Sequence, residues 1–500
     1  MPGVRVPQGN RGCVLKLSWP LAAAFVIGAA ALTVSPGVVT AELALCVAWA
    51  LVGPRQAIQA LAVSVLITYA NPALVTFGTS SGALARLVLI AAALRVLPTM
   101  RQTDLSLLWP VWLFSLTAAL VSWISSPALA ISVMKIITFT LATTTILVAF
   151  GRLTPRRLEQ LQTWISTLVL VVVGLSLLTL IRPSVAFHRT HTGLQGVLGH
   201  PQALAVVLAP AAAWLLSSLT LMKGRLGVWT LIVVGTVCIA MLMTEARTAA
   251  VAATAGLALA ALRALRGTRR DIGTASFGRL MAFAAVGLVA IAIAGLTTDK
   301  VSEATSRYLF KRSGAEDISG AFYKSRGGGI LSQWQNFLNA PLTGHGFGVY
   351  ANGKFPAGVT EFAGIPISAP VEKGFVPTAV LEETGVFGGL AFLFVIVRLA
   401  RVTWRGGDPR LLALFGACAA VNAGEAVILA PGGIGMFLWI LIGLAIAASR
   451  IKPKTATATV TAPAFVGMPI AAGASAANPP AQSAGGPMDA GHAFAGSVGA

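Results

Sequence analysis

Charge is what this sequence has least of. Charged residues make up 10% of its 500 positions, and only 16 residues are acidic. A water-soluble fold of this length needs far more polar surface to cover its exterior, which excludes a single soluble domain around one buried core. Cysteine is equally sparse. Cys13, Cys46, Cys238 and Cys418 are scattered, three of them inside apolar blocks, with neither disulfide nor metal spacing. The 5 histidines form no His-Glu-x-x-His or similar cluster, so no metal site or other cofactor is expected. No internal repeat is visible.

What the chain has in abundance is apolar residues, 56% of the total. They come in blocks of about 18–25, long enough for a helix to cross roughly 30 Å of hydrocarbon. In lipid a helix satisfies its own backbone hydrogen bonds, so the sequence predicts an all-α, polytopic transmembrane bundle embedded in a lipid bilayer. The net charge of +20 does not signal nucleic acid, because the basic residues fall in short clusters between apolar blocks rather than along one face.

The spacing predicts about 12–14 helices. Their expected spans are 19–33, 38–52, 57–74, 82–97, 105–124, 128–150, 161–181, 202–221, 226–243, 248–262 and 280–296, then 375–397, 411–429 and 434–448. The pair 57–74 and 82–97 is interrupted by Asn71-Pro72 and Arg86, and it also fits a re-entrant hairpin. Arg5, Arg11 and Lys16 precede the first block in the manner of a signal peptide. That block runs into a Ser-Pro-Gly turn and a second block, so it reads as an uncleaved helix.

Alternate connections hold Arg55; Arg95 and Arg101; Arg152, Arg156 and Arg157; Lys223 and Arg225; Arg263, Arg266, Arg269, Arg270 and Arg279; then Arg398, Arg401, Arg405 and Arg410. The positive-inside rule makes that side cytoplasmic, with both termini there. The expected organisation is a cytoplasmic N-terminus (1–18), eleven helices (19–296), a long extracytoplasmic loop (297–374), three helices (375–449) and a disordered cytoplasmic tail (450–500). The long loop is polar and Gly-rich but carries Trp334, Phe337, Phe347 and Tyr350, so a short helix is expected near 329–339.

The candidate chemistry lies on the outer face. Arg182, Arg189, Arg247, Arg326, Lys373 and the histidines form a positively biased set at one depth, and an arginine fork suits a diphosphate. Arg182 also fits a side chain that merely snorkels to the interface. Arg247 sits in TEART (244–248) between strong apolar blocks, where a structural contact with Glu245 is the alternative. His200 before Pro201, and His345 in the turn-rich PLTGHGFG (341–348), are candidate bases, although a solvated loop histidine would look the same. Glu372-Lys373 and Glu382-Glu383 lead into the helix after the long loop. Carboxylates there are costly unless they line a polar cavity, pair with cations or sit at the interface.

In order along the chain, GVLGHPQ (196–202), TEART, SRGGGILSQWQNFLNAPLTGHGFG (325–348) and LEETGVFG (381–388) resemble motifs of the O-antigen ligase and O-antigen polymerase family of bacterial envelope proteins. They match that family's Gly-x-x-x-His-Pro-Asn helix start, its Ser-Arg-Thr-Ala turn, its Arg-led helix with Pro-Leu-x-Gly-x-Gly, and its Leu-x-Glu-x-Gly-x-x-Gly. The family's His-Asn pair before the last motif is replaced here by Val371-Glu372-Lys373-Gly374-Phe375.

The resemblance implies a bacterial inner-membrane enzyme with its active face extracytoplasmic. It implies metal-independent glycan transfer from an undecaprenyl-diphosphate carrier to a sugar acceptor, as a polymerase rather than a ligase. Arg247 and Arg326 would contact the diphosphate, with Arg189, His200 and Lys373 as further substrate contacts. Glu372 or His345 would activate the acceptor hydroxyl. Polysaccharide export or chain-length proteins would be partners. A secondary transporter or channel, and a non-catalytic assembly or export partner, are the competing readings.

Overall fold

The computed structural model describes residues 36–77, 81–189, 192–221, 228–267, 327–355, 358–362, 364–371 and 373–451. Their regular structure is helical apart from one small sheet. The bundle helices are α1 (Pro36–Val52), α2 (Pro54–Thr68), α3 (Ser81–Val96), α4 (Gln102–Ser125), α5 (Leu129–Gly151), α6 (Pro155–Leu178), α7 (Pro201–Leu221), α8 (Val228–Met243) and α9 (Arg247–Gly267). A short helix α10 (Gly328–Asn339) follows, then α11 (Val376–Gly406), α12 (Pro409–Ala420) and α13 (Gly435–Arg450). Between α10 and α11, β1 (Thr360–Phe362) and β2 (Ile365–Ser368) form an antiparallel hairpin that the apolar pattern does not predict.

Six of the described helices are long and apolar enough to cross a membrane, and four further apolar helices are shorter. Two of the expected spans differ from the described helices. The block read as 411–429 is helical only through Ala420, with a 3-10 turn at Val421–Ala423 and non-helical chain beyond it. The block read as 375–397 instead runs on to Gly406. The expected crossings at 19–33 and 280–296, and the tail beyond residue 451, lie outside the described residues.

The helix surfaces explain the composition. On α4, Trp109, Leu113, Leu116, Leu120 and Trp123 are all exposed and recur at steps of four and three, a stripe along one helix face. Leu87, Ile90 and Leu94 do the same on α3. Such rows are unfavourable in water but match hydrocarbon. The opposite faces pack inward around Phe114, Phe139, Phe392 and Trp439, whose rings meet edge-on or tilted at 5.3–5.9 Å.

The connections between the described helices sort to two ends. One end gathers the basic residues. Arg55 donates to Gln160 at 2.8 Å, and Arg152 pairs with buried Asp104. Arg263 and Arg266 lie over the Trp404 ring at 6.0 and 5.4 Å. The other end holds the described residues of the motif segments singled out in the sequence.

Close approach of α9 and α12 depends on small residues. Ala249, Ala252, Ala253, Gly256 and Ala260 are placed along α9, and a Cβ on Gly256 would come within 3.0 Å of the Ala417 Cβ on α12. Gly256→Leu is therefore expected to destabilise the folded protein by about 1–3 kcal/mol through overpacking. Thermal unfolding in detergent measures this, with Leu259→Ala on the same helix as a comparison.

Candidate functional site

The site is organised by a break in α11. Gly385 has φ +61 and ψ −167, outside helical geometry, so the sequence LEETG interrupts the helix two and a half turns from its start. A break frees backbone groups that a regular helix would pair internally. Here the PLTGHGFG segment takes them up. His345 N donates to Glu382 O and Gly346 N to Glu383 O, both at 2.9 Å, and Val386 N donates to Pro341 O at 2.8 Å. The approach is backbone to backbone: a Cβ on Gly344 would meet Glu383 C and Thr384 N, and one on Gly385 would meet Leu342.

Past this contact the segment enters the bundle. Phe347 N donates to Ser122 Oγ at 2.9 Å, and the fully buried Phe347 ring sits 5.8 Å from Phe114 and 5.9 Å from Phe139. The end of the long loop, expected to be extracytoplasmic, is thus part of the helical core.

Beneath the break lies a buried charge cluster. Lys373 Nζ is 2.9 Å from Glu382 Oε2 and 3.1 Å from Glu383 Oε1, with all three side chains 4% exposed. Asn336 donates to Glu382 Oε1 and Gly348 N to Glu383 Oε2, each at 2.8 Å. Lys135 of α5 donates to Gly348 O and lies in electrostatic reach of Glu383, Lys373 and Arg86. Arg86 of α3 in turn donates to Ile367 O on β2 at 2.8 Å. The carboxylates anchor the loop through its N–H groups, and Lys135 and Arg86 anchor it through its carbonyls.

The other motifs meet next to this cluster. Buried Asn71 donates to Val185 O and Gly196 O at 2.9 and 2.7 Å, while its own N–H donates to Val197 O at 2.8 Å. The Asn71-Pro72 interruption is therefore a clamp on GVLGHPQ. Leu194 N donates to Met243 O at 2.8 Å, which ties that loop to the TEART turn. Glu245 adopts φ 53, a costly conformation for a side-chain-bearing residue, and this sharp turn makes Arg247 the first residue of α9. Gly424 abuts Thr248, and Ala426 N donates to Lys373 O at 3.0 Å, closing the circuit back to the charge cluster.

The predicted site residues fall out as follows. Arg247 is half-buried at the start of α9, and Arg189 is exposed with its N–H donating to Gln195 at 2.9 Å. His200 caps α7, its Nδ1 accepting from Gln202 N at 3.1 Å. His345 Nε2 lies 2.9 Å from Asn336 O, and a carbonyl only accepts, so Nε2 carries the proton and Nδ1 is the basic nitrogen. Lys373 is held by two glutamates within the chain. Arg326 and Glu372 lie outside the described residues.

Sequence reading missed Lys135 and Arg86 as parts of the site. The signal was present, since a lone lysine inside the apolar block of α5 is costly unless paired.

Removing Lys373 would leave two buried carboxylates facing each other. Lys373→Met is expected to cost about 3–5 kcal/mol of stability. Lys373→Met combined with Glu382→Gln should recover a large part of that loss in the same unfolding assay, because one uncompensated charge is gone.

Compared with known proteins, the chain matches no family model and no curated protein.

Proposed function

We propose that this chain transfers a glycan from an undecaprenyl-diphosphate carrier to a sugar acceptor, extending a surface polysaccharide on the extracytoplasmic side of a bacterial inner membrane. The observation that carries this reading is convergence. Four segments resembling motifs of the O-antigen ligase and polymerase family, spread from residue 196 to residue 388, share one end of the helical bundle. The basic residues gathered at the opposite end support a cytoplasmic orientation for that end.

The chemistry follows from the cations. A positively charged side chain at a helix N-terminus is disfavoured by about 0.3–1 kcal/mol in isolation, but together the two make a strong anion site. Arg247 at the head of α9 is such a pairing. With Arg326 and Arg189 it would hold the diphosphate while the carrier's lipid stays in the bilayer. The acceptor hydroxyl attacks the anomeric carbon, the bond to the diphosphate oxygen breaks, and the arginines stabilise the departing anion. The hydroxyl proton passes to a base, for which His345 Nδ1 and Glu372 are the candidates. Lys373 acts indirectly, by holding Glu382 and Glu383 where they support the loop that carries His345.

A broken helix with buried charges also favours a second reading, a secondary transporter. In such a protein the freed carbonyls would face an ion or solute. Here Glu382 O and Glu383 O are occupied by the chain's own His345 and Gly346 N–H groups, which favours a fixed scaffold.

Arg247→Ala and Arg326→Ala are each expected to lower transfer from a defined lipid-linked donor by about 100-fold or more while the protein still inserts in the membrane. Normal product in both variants would overturn the proposal. Solute flux through protein in donor-free liposomes would support the transporter instead.

A further inference from the structure

Helix α10 has three faces rather than two. Gln333, Asn336 and Phe337 face the bundle: Asn336 donates to Glu382, Gln333 accepts from Thr378, and Phe337 is buried. The polar side of the helix is therefore partly spent on the protein. The outward surface is itself divided. Leu331, Trp334 and Leu338, spaced at i, i+3 and i+7, are 43, 42 and 57% exposed. Ser332, Gln335 and Asn339 are exposed on the remaining arc.

We propose that α10 lies in the plane of the membrane interface. Its Leu331–Trp334–Leu338 face contacts the acyl chains of the adjacent leaflet, and its Ser332–Gln335–Asn339 face contacts headgroup water. A helix held by protein on one side needs this split on the other two sides if it floats at a boundary between oil and water. Trp334 is the residue type whose ring prefers that depth.

The occupant is identified by continuity. Directly after α10, Pro341 O accepts from Val386 N, so the exposed Leu342 runs onto exposed Val386, Phe387 and Leu390 of α11. Helix α11 is long and apolar enough to cross a membrane, and the lipid that covers it covers α10 as well. No residue from Gly327 to Gly344 carries a charge, so the Leu331–Trp334–Leu338 face itself is held by apolar contact. The inference does not depend on the reaction proposed above.

The test is depth profiling of the full-length protein. Its four cysteines are replaced, single nitroxide labels are placed at positions 331, 332, 334, 335, 338 and 339, and the protein is reconstituted in phosphatidylethanolamine–phosphatidylglycerol vesicles. Labels at 331, 334 and 338 are expected to show a several-fold higher ratio of oxygen to nickel-chelate accessibility than labels at 332, 335 and 339. The pattern should persist in neutral phosphatidylcholine vesicles. Equal aqueous accessibility on both arcs overturns the proposal. So does a set at 331, 334 and 338 that neither reagent reaches, which would indicate a protein contact. Where labelled variants fail to fold, brominated lipid quenching of the unmodified protein is compared with Trp334→Phe. Loss of part of the quenching supports the proposal, and an unchanged fraction contradicts it.

Discussion

The exchange of backbone hydrogen bonds at Gly385 is the constraint on which the rest of this end of the molecule depends. A helix that breaks within its apolar length must find partners for the groups it frees, and water is not available to supply them. The loop segment 341–346 supplies both donors and an acceptor, at 2.8–2.9 Å. Its position then determines where Phe347 enters the aromatic core and where Gly348 meets Glu383 and Lys135. A turn that is glycine at positions 344, 346 and 348 is what permits contact this close.

Electrostatics reinforces the same geometry. Three cations and two carboxylates sit at one end of α3, α5 and α11 and in the chain leading into α11. Buried ion pairs contribute little net stability when their desolvation is counted, but they strongly penalise any arrangement that separates the partners. Each charge here also holds a loop backbone group or another side chain, so the cluster specifies one position for the loop more than it strengthens the fold.

How much of this was legible in the sequence differs by feature. The alternation of basic connections was readable because it follows from a strong local rule, and the short helix expected near 329–339 is α10 at 328–339. The adjacent Glu382-Glu383 pair was recognised as costly unless compensated, and the compensation is Lys373 with Lys135 nearby. What could not be read was depth. Polar, glycine-rich composition suggested a loop in water, whereas Gly344 packs closely against α11, Gly346 against Ser126 and Gly348 against Lys135. The partnership of Asn71 with residues 185–197 joins sites far apart in sequence, and no periodicity encodes such a pairing. The β1–β2 hairpin was missed because its strands are three and four residues long, too short to show alternation.

The broken helix also bears on how the chain is made. Synthesis runs from the N-terminus, so residues 341–348 leave the ribosome before residues 382–385. The groups that complete the break therefore exist before the break itself reaches the bilayer. In the opposite order, two carbonyls and two carboxylates would wait without these partners, at several kcal/mol for each group left unsatisfied away from water. The order of the segments along the gene thus gives α11 a partner on arrival, and the helix does not have to be stable as an isolated insert.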